Sequence, residues 1–282
     1  GLYQFKPPFP FSPGSEISGV VSSVGEGVSM HKEGDRVMGS IGSGGLREKG
    51  VYSEQQLMPL PESMDFKTAA GFPLNYGTTY HAFKQRGELE PGQSVLVLGA
   101  GGGLGITAIH VAKAMGARVI AAASSQEKID LCKKEGADEG IIYERDMDRD
   151  LQKKFSDQIK QVTGGGVDMI YDLVGGDYAE PALRAIARHG KYLVIGFTAG
   201  IPKMPLNLTL LKECQIVGVF WGQFAGIDHE ENAQNFKELL QLHEEGKIKP
   251  FVTESFSLED SAKAIKTLED RKVLGKVVVS ME

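Results

Sequence analysis

The sequence predicts an α/β protein in which a doubly wound parallel sheet is combined with a smaller, β-rich domain. From about residue 94, short apolar runs alternate with stretches of helical periodicity, which is the pattern of successive βαβ units. The runs SVLVLGA and VDMIYDLV are continuously apolar, which is typical of parallel strands buried on both faces. Residues 1–60 are instead rich in Gly, Pro and Ser, and turn residues break their short β-like runs, which indicates a small irregular barrel.

The elements of the regular region can be assigned in chain order. Six strands are predicted, with the sequences SVLVLGA, ARVIAAAS, EGIIY, VDMIYDLV, KYLVIGF and CQIVGVFW. Four helices are predicted between them, with the sequences LGITAIHVAKAMG, QEKIDLCKKEG, DLQKKFSDQIKQVTG and YAEPALRAIARHG. The tail is predicted to form the helices NAQNFKELLQLHEEG and SLEDSAKAIKTLED, the second capped by Ser257, and a closing strand GKVVVS. We expect the tail to pack partly on the first region, which gives domains at 1–83, 84–226 and 227–282.

Composition excludes several classes of function. The net charge of −6 argues against non-specific binding of nucleic acid, so no nucleic-acid partner is expected. No apolar run approaches the roughly 20 residues that a bilayer-spanning helix needs, so no membrane partner is expected either. Two cysteines set no disulfide framework and suit a reducing compartment. The cytoplasm is therefore the expected location, with the mitochondrial matrix as the alternative.

The segment SVLVLGAGGGLG carries the clearest functional signal, because a strand, a glycine-rich turn and a helix follow one another. The tight turn needs residues without a Cβ atom, and a diphosphate needs bare backbone N–H groups at the positive end of the helix dipole. We therefore predict a Rossmann-type dinucleotide site, with a turn that binds no ligand as the alternative. The predicted binding residues are Gly101, Gly102, Gly103, Leu104 and Gly105.

The end of the second strand of this unit bears on which dinucleotide binds. NAD sites usually carry an acidic residue there to accept the ribose hydroxyls. The segment RVIAAASSQEK offers Ser124 at this point, with Lys128 within reach, and these groups favour a 2′-phosphate. We therefore predict NADPH as the cofactor. Lys128 can also be read as a solvated helix lysine, and Glu127 keeps NADH open as the alternative.

Several segments resemble the medium-chain dehydrogenase/reductase superfamily over essentially the whole chain, and within it the zinc-independent quinone oxidoreductases (the ζ-crystallin branch). The resemblance is carried by KPPFPFSPGSEISGVVSSVGEGV, KEGDRV, AGGGLG, SSQEK, GADEGIIY, GVDMIYDLVGG and LLKECQIVGVFWG. It implies a GroES-like β-barrel catalytic domain built from the first part and the tail, with the Rossmann domain between them in sequence. The chains of this family begin several strands before Gly1, so the N-terminal part of the barrel is expected to be missing from this sequence.

The turn PGSEISG bears on metal chemistry. In zinc-dependent relatives a histidine stands between the glycine and the glutamate of this turn, whereas here Ser15 stands between Gly14 and Glu16. A catalytic zinc needs three Cys, His or carboxylate ligands, and no cysteine precedes Cys132. We therefore expect no metal site, and we expect Gly14 and Glu16 to serve the turn itself.

Other cofactor contacts are implied only by the resemblance. Tyr143 would lie near the 2′-phosphate, with a strand-end aromatic cap as the equal alternative. Thr78 and Thr79 would lie near the phosphates and the nicotinamide, with helix-cap hydroxyls as the alternative. The residues that would cover the nicotinamide follow two strand ends and are Val174, Gly175, Gly196, Phe197 and Thr198.

The acceptor site is less defined than the cofactor site. Tyr76 and Trp221 are candidates for lining it, but core packing is an equal alternative for Tyr76. Phe220 and Trp221 could instead pack in a subunit interface, which is the favoured interpretation. The strand CQIVGVFW is expected to form a sheet edge, and pairing this edge across a two-fold axis would give a homodimer.

These expectations combine into one functional hypothesis. The resemblance implies an NADPH-dependent oxidoreductase that reduces quinones or α,β-unsaturated carbonyls by direct hydride transfer without zinc, with a small electrophilic molecule as the acceptor. One alternative is an enoyl reductase with an acyl-CoA or prostanoid-like acceptor. The other is a non-catalytic NADPH-binding or structural protein.

Overall fold

The computed structural model describes residues 7–270 and 273–281 of the chain. Its strands, β1 to β11 in chain order, are Glu16–Val20, Arg36–Ser40, Leu57–Pro59, Ser94–Leu98, Arg118–Ala123, Glu139–Ile142, Val167–Asp172, Ile186–Val194, Gln215–Gly218, Val252–Ser257 and Lys276–Ser280. Its helices, α1 to α10, are Phe66–Ala70, Pro73–His81, Gly103–Ala114, Gln126–Lys134, Arg149–Thr163, Ala179–Arg184, Asn207–Lys212, Trp221–Ile227, His229–Glu244 and Ser261–Glu269. None of these helices is long and apolar enough to cross a bilayer.

The second of two compact units, residues 76–249, holds the parallel sheet. Six strands lie in the order β6-β5-β4-β7-β8-β9, and every neighbouring pair is parallel. All five residues of β4 (SVLVL) are buried, as its continuous apolar run predicts. The order reverses beside β4, which is the switch point where α/β sheets bind ligands. The predicted Rossmann-type sheet is therefore confirmed, with β9 at one edge.

The first unit, within residues 1–75 and 250–282, is β-rich. Strands β1, β2 and β3 form an antiparallel sheet, and β10 pairs with β11 in parallel. Within this unit α1 contacts both sheets, and a Cβ atom built at Gly71 would lie 3.0 Å from Lys276 Cγ. The end of the chain therefore returns to the first region, as predicted for the tail.

The unit boundaries differ from the predicted domain boundaries at residues 83 and 226. Helix α9 lies in the second unit, although residues 227–249 were assigned to the tail domain. The reason is its contact with the segment that follows α2: Lys84 Nζ is 2.6 Å from Glu238 Oε2. Phe236 and Leu239 of α9 are also buried, and the centroid of the Phe236 ring lies 6.2 Å from that of Trp221 in the same unit.

Two element predictions need correction. The helix predicted for YAEPALRAIARHG ends at Arg184, because Ile186 pairs beside Val167 of β7 and begins β8. Tertiary strand pairing outweighs local helical periodicity here. The last predicted helix begins later than expected: Ser257 ends β10, and Asp260 is the residue before α10.

Candidate functional site

The glycine-rich loop lies between the carboxyl end of β4 and the start of α3. It is tied to the neighbouring strand, because the N–H groups of Gly99 and Ala100 donate to Ala122 O at 3.1 and 3.0 Å. Gly99 has a φ of +78°, which favours glycine. Gly105 must also be glycine, since a Cβ atom there would lie 2.4 Å from Ala100 O.

The mouth of the loop has room for a ligand. Among the residues that the structure describes, and apart from its own chain neighbours, a Cβ atom at Gly102 would have one neighbour within 4 Å, Gly99 O at 3.7 Å. Gly102 is the N-cap of α3, so the N–H groups of residues 103–105 have no acceptor within the helix. Bare N–H groups beside open space at a helix N-terminus fit a diphosphate. Gly102, Gly103 and Leu104 are each partly exposed, as such a role requires.

Lys128 lies directly against this loop. A Cβ atom at Gly101 would lie 2.8 Å from Lys128 Cβ, so the lysine stem covers the loop. Ser125 caps α4 by accepting the N–H of Lys128 at 3.4 Å, which fixes the start of that helix. The structure thus places Lys128 beside the glycine loop, whereas Glu127 is exposed in the first turn of α4.

The end of β5 opens onto a groove of about 470 Å³ lined by Ser124, Glu144, Arg145, Asp146 and Leu151. Ser124 is half-buried, and Ala123 ends the strand before it, so no carboxylate stands at the strand end itself. The loop that carries the charged side chains of the groove was not singled out in the sequence. The sequence feature that could have indicated this loop is the charged run ERD directly after the predicted strand EGIIY.

Tyr143 belongs to an aromatic cluster at this end of the sheet. Its ring centroid lies 4.7 Å from that of Tyr178 and 5.9 Å from that of Phe155. The Tyr178 hydroxyl donates to the carbonyl oxygens of Glu144 and Arg145 at 2.9 and 2.7 Å, which fixes the loop beside the groove. The strand-end aromatic cap expected for Tyr143 is therefore present, and a 2′-phosphate contact stays a prediction.

The two strand-end segments predicted to cover the nicotinamide are joined to each other. Thr198 donates its N–H and its hydroxyl to Leu173 O at 3.3 and 3.2 Å. A Cβ atom at Gly99 would lie 3.0 Å from Val174 Cγ2, so Val174 packs on the glycine loop. Phe197 remains 39% exposed. The structure thus brings Val174, Gly175, Gly196, Phe197 and Thr198 together beside the glycine loop.

Thr78 and Thr79 lie inside α2 rather than at its start, because the helix begins at Pro73. Their alternative as helix-cap hydroxyls is therefore wrong. Thr79 is fully buried, and its hydroxyl hydrogen-bonds to the Tyr171 hydroxyl at 3.0 Å. Thr78 is half-buried, which leaves it the more accessible of the two.

Tyr76 and Trp221, the candidates for the acceptor site, are both buried in the second unit. The Tyr76 hydroxyl lies 3.1 Å from His110 Nδ1, and His110 Nε2 lies 2.9 Å from Glu135 Oε2. The Trp221 indole covers Gly77, where a Cβ atom would lie 2.6 Å from Trp221 Cε2. Core packing, the equal alternative for Tyr76, describes that residue. The subunit interface favoured for Trp221 does not describe its position, because Trp221 is buried within its own chain and its indole N–H donates to Asn232 Oδ1 at 2.9 Å.

The buried His110 gives a prediction for pH. Burial lowers the pKa of His110, against the opposing effect of Glu135, and burial also lowers the pKa of His81. Below about pH 6.5 these two histidines therefore bind fewer protons in the native state than in the unfolded state. The free energy of unfolding should thus fall as the pH falls through that value. His110→Gln should flatten the dependence of the unfolding free energy on pH between 7.5 and 5.5, measured by urea denaturation. His229→Gln, at the exposed start of α9, is the control, and equal slopes in all three proteins would contradict the assignment.

The turn around Ser15 brings Glu16 into contact with other elements of the first unit. Glu16 accepts the N–H of Leu74 at 2.8 Å and pairs with Lys276, so it joins β1 to the start of α2 and to β11. Gly14 has a φ of +89°, which the turn requires. No group of three His, Cys, Asp or Glu side chains in residues 7–270 and 273–281 could hold a metal ion. At this turn Ser15 offers no ligand of the type that zinc prefers.

The fold and this glycine-loop site define a two-unit dehydrogenase or reductase with a Rossmann-type domain. Residues 103–245 match the zinc-binding dehydrogenase family, and residues 1–62 match the alcohol dehydrogenase GroES-like domain. The chain belongs to the medium-chain dehydrogenase/reductase superfamily, in its quinone oxidoreductase branch.

Individual relatives support this assignment. The chain is 37% identical to quinone oxidoreductase-like protein 2 of Bos taurus over 284 residues, which are 100% of this chain and 80% of the bovine protein. A probable oxidoreductase from Mycobacterium abscessus superimposes with a TM-score of 0.87 at 35% identity, covering 98% of this chain and 82% of that one. Escherichia coli quinone oxidoreductase, solved in complex with NADPH, gives a TM-score of 0.88 at 28% identity, covering 98% and 85%.

Proposed function

We propose that the protein is an NADPH-dependent oxidoreductase that reduces quinones or α,β-unsaturated carbonyls without zinc. The observation that carries this proposal is the open mouth of the glycine loop at the N-terminus of α3, with Lys128 against it. The NADPH bound by the Escherichia coli relative supports the choice of cofactor.

The residues that would hold the cofactor follow from the site. The N–H groups at the start of α3 would hold the diphosphate, and Ser124 and Lys128 would bind the 2′-phosphate. The segments at 174–175 and 196–198 would hold the nicotinamide half. Bound NADPH supplies a hydride. The protein would bind the cofactor and the acceptor, orient them, and exclude water from the site.

The acceptor must be strongly electrophilic if no metal assists. A quinone or a carbonyl-conjugated double bond accepts a hydride without a Lewis acid, whereas alcohol oxidation requires stabilisation of an alkoxide. Ser15 and the lack of three suitable ligands among the described residues are the observations that support this choice. Water or a weak donor would supply the proton to the acceptor.

A turnover assay tests the proposal. Chelator-treated protein is expected to oxidise NADPH, followed by the loss of its absorbance, when 1,4-naphthoquinone is added. Elemental analysis of protein purified without chelator is expected to find no stoichiometric zinc. Enones and enoyl-CoAs in the same panel test the enoyl reductase alternative, which the likeness to the CurK enoyl reductase supports at a TM-score of 0.84 and 27% identity. NADPH binding without turnover on any acceptor would instead identify a non-catalytic binding protein.

We further propose that the protein forms a homodimer through the β9 edge. Strand β9 ends the six-stranded sheet, and the preceding helix α7 leaves Leu210 and Leu211 77% and 69% exposed. A strand at the edge of a sheet and exposed leucines in the helix before it both favour association with a second copy. Light scattering should give twice the mass of one chain, and L210D/L211D should give a monomer. The control Ile265→Asp, on α10 of the first unit, should stay dimeric; a wild-type monomer would refute the proposal.

A further inference from the structure

Asp172 is a buried carboxylate at the carboxyl end of β7 that the sequence analysis did not single out. Asp172 is 2% exposed. One oxygen, Oδ1, accepts the N–H groups of Val174 and Gly175 at 2.8 and 3.0 Å, and the other, Oδ2, accepts the Tyr192 hydroxyl at 2.6 Å. The side chain therefore joins the turn that follows its own strand to the neighbouring strand β8.

The main chain of Asp172 fixes a second turn. Its carbonyl oxygen accepts the N–H groups of Ile195 and Gly196 at 3.0 and 3.1 Å. The two turns then hold each other, because Ala199 N donates to Val174 O at 2.8 Å. Asp172 thus bonds to both segments, to 173–176 through its side chain and to 195–200 through its carbonyl oxygen.

The hydrogen-bond donors at this position match a carboxylate. Two backbone N–H groups and one hydroxyl point at the side chain, and a carboxylate accepts all three. Burial raises the pKa of Asp172 above its ordinary value, and the bonds from Tyr192, Gly175 and Val174 act in the opposite direction. No described residue forms a salt bridge with Asp172, so these donors alone stabilise its charge. An asparagine would keep the shape but replace one acceptor oxygen by a donor.

The turns that Asp172 holds are the ones proposed to contact the nicotinamide half of the cofactor. Val174 packs on Gly99 of the glycine loop, and Gly196 to Thr198 lie on the second turn. We propose that Asp172 is a positioning residue, which arranges these two turns for the nicotinamide half of NADPH without touching the adenosine half. This inference rests on the proposed function of the site.

Calorimetry with two ligands separates a positioning role from a merely structural one. NADPH contains both halves of the cofactor, whereas 2′,5′-ADP contains only the adenosine half with its 2′-phosphate. Asp172→Asn should bind NADPH at least tenfold more weakly, because the hydrogen bonds from Val174 and Gly175 lose the charge that strengthens them and the acceptor of the Tyr192 hydroxyl becomes an amide donor. Its affinity for 2′,5′-ADP should change less than about twofold, since the strand end at Ser124 is not altered.

Asp168 offers a matched control in the same strand. Its carboxylate accepts the N–H and the hydroxyl of Ser94 at 2.8 and 2.6 Å, but at the amino end of β7. Asp168→Asn should bind both ligands as the wild type does. Tyr192→Phe removes one donor to Asp172, so it should also weaken NADPH binding selectively, by about threefold. This variant tests the proposal if Asp172→Asn does not fold.

Hydrogen exchange of the intact protein gives a second readout that does not depend on any ligand. Peptides covering 173–176 and 195–200 should exchange faster in Asp172→Asn than in Asp168→Asn. Equal loss of both ligands, or NADPH affinity unchanged in both Asp172→Asn and Tyr192→Phe, would overturn the positioning role alone. Wild-type protein that binds neither ligand would refute the proposed function and this inference with it.

Discussion

Gly102→Val is expected to raise the dissociation constant for NADPH at least a hundredfold while leaving the fold intact. The backbone of Gly102 has a φ of −92° and a ψ of 173°, which a valine adopts without strain. Its side chain would enter the open space beside the first N–H groups of α3, where the diphosphate is proposed to bind. Loss of two charge-assisted hydrogen bonds, at about 1.5–3 kcal/mol each, accounts for the size of the effect.

The controls for this prediction come from other glycines. In Gly25→Val the added Cβ atom would have no neighbour within 4 Å among the described residues. This variant therefore controls for the introduction of a valine, and it should bind NADPH as the wild type does. Gly105→Ala would collide with Ala100 O, so it should lower the melting temperature, unlike Gly102→Val. Calorimetry and thermal unfolding measure the two effects. Unchanged NADPH affinity in Gly102→Val would show that the diphosphate does not bind at this loop.

Ser124→Asp is expected to reverse the preference from NADPH to NADH. A carboxylate at the end of β5 would repel the 2′-phosphate and accept the hydroxyls of an unphosphorylated ribose. The loss of one charge-assisted bond together with the new repulsion should weaken NADPH binding about a hundredfold. NADH binding should tighten several-fold. The ratio of kcat/KM for the two cofactors measures the change.

Lys128 provides an independent test of the same subsite. Lys128→Met keeps the stem that covers Gly101 and removes only the charge, so NADPH should bind about tenfold more weakly and NADH unchanged. Lys133→Met, an exposed lysine of the same helix, is the matched control. A wild-type preference for NADH, or equal effects of the two lysine variants, would contradict the assignment of Ser124 and Lys128.

The sequence predicts the sheet better than it predicts the helix ends. The strand SVLVL is apolar at every position because both of its faces are covered, so its burial can be read directly. The segment after Arg184 is different: its spacing is helical, yet Ile186 pairs with β7. Such a boundary depends on residues distant in sequence, which local periodicity does not reveal.

In the candidate site, too, residues fixed by local sequence can be predicted and residues fixed by distant contacts cannot. Gly102 and Gly105 are predictable because the turn and the diphosphate impose the absence of a side chain at fixed spacing. Tyr76 was a plausible acceptor contact in sequence, but its buried partner His110 is 34 residues away. Asp172 was missed for a similar reason. Its own strand and turn resemble those of the family, but its role depends on Tyr192 of the next strand.

The most direct test of the account is a crystal structure of the protein soaked with NADPH. We expect the diphosphate to lie against the N–H groups at the start of α3 and the 2′-phosphate beside Ser124 and Lys128, with no metal ion near the nicotinamide. An empty glycine loop at saturating cofactor, or a coordinated metal ion at the nicotinamide, would contradict it.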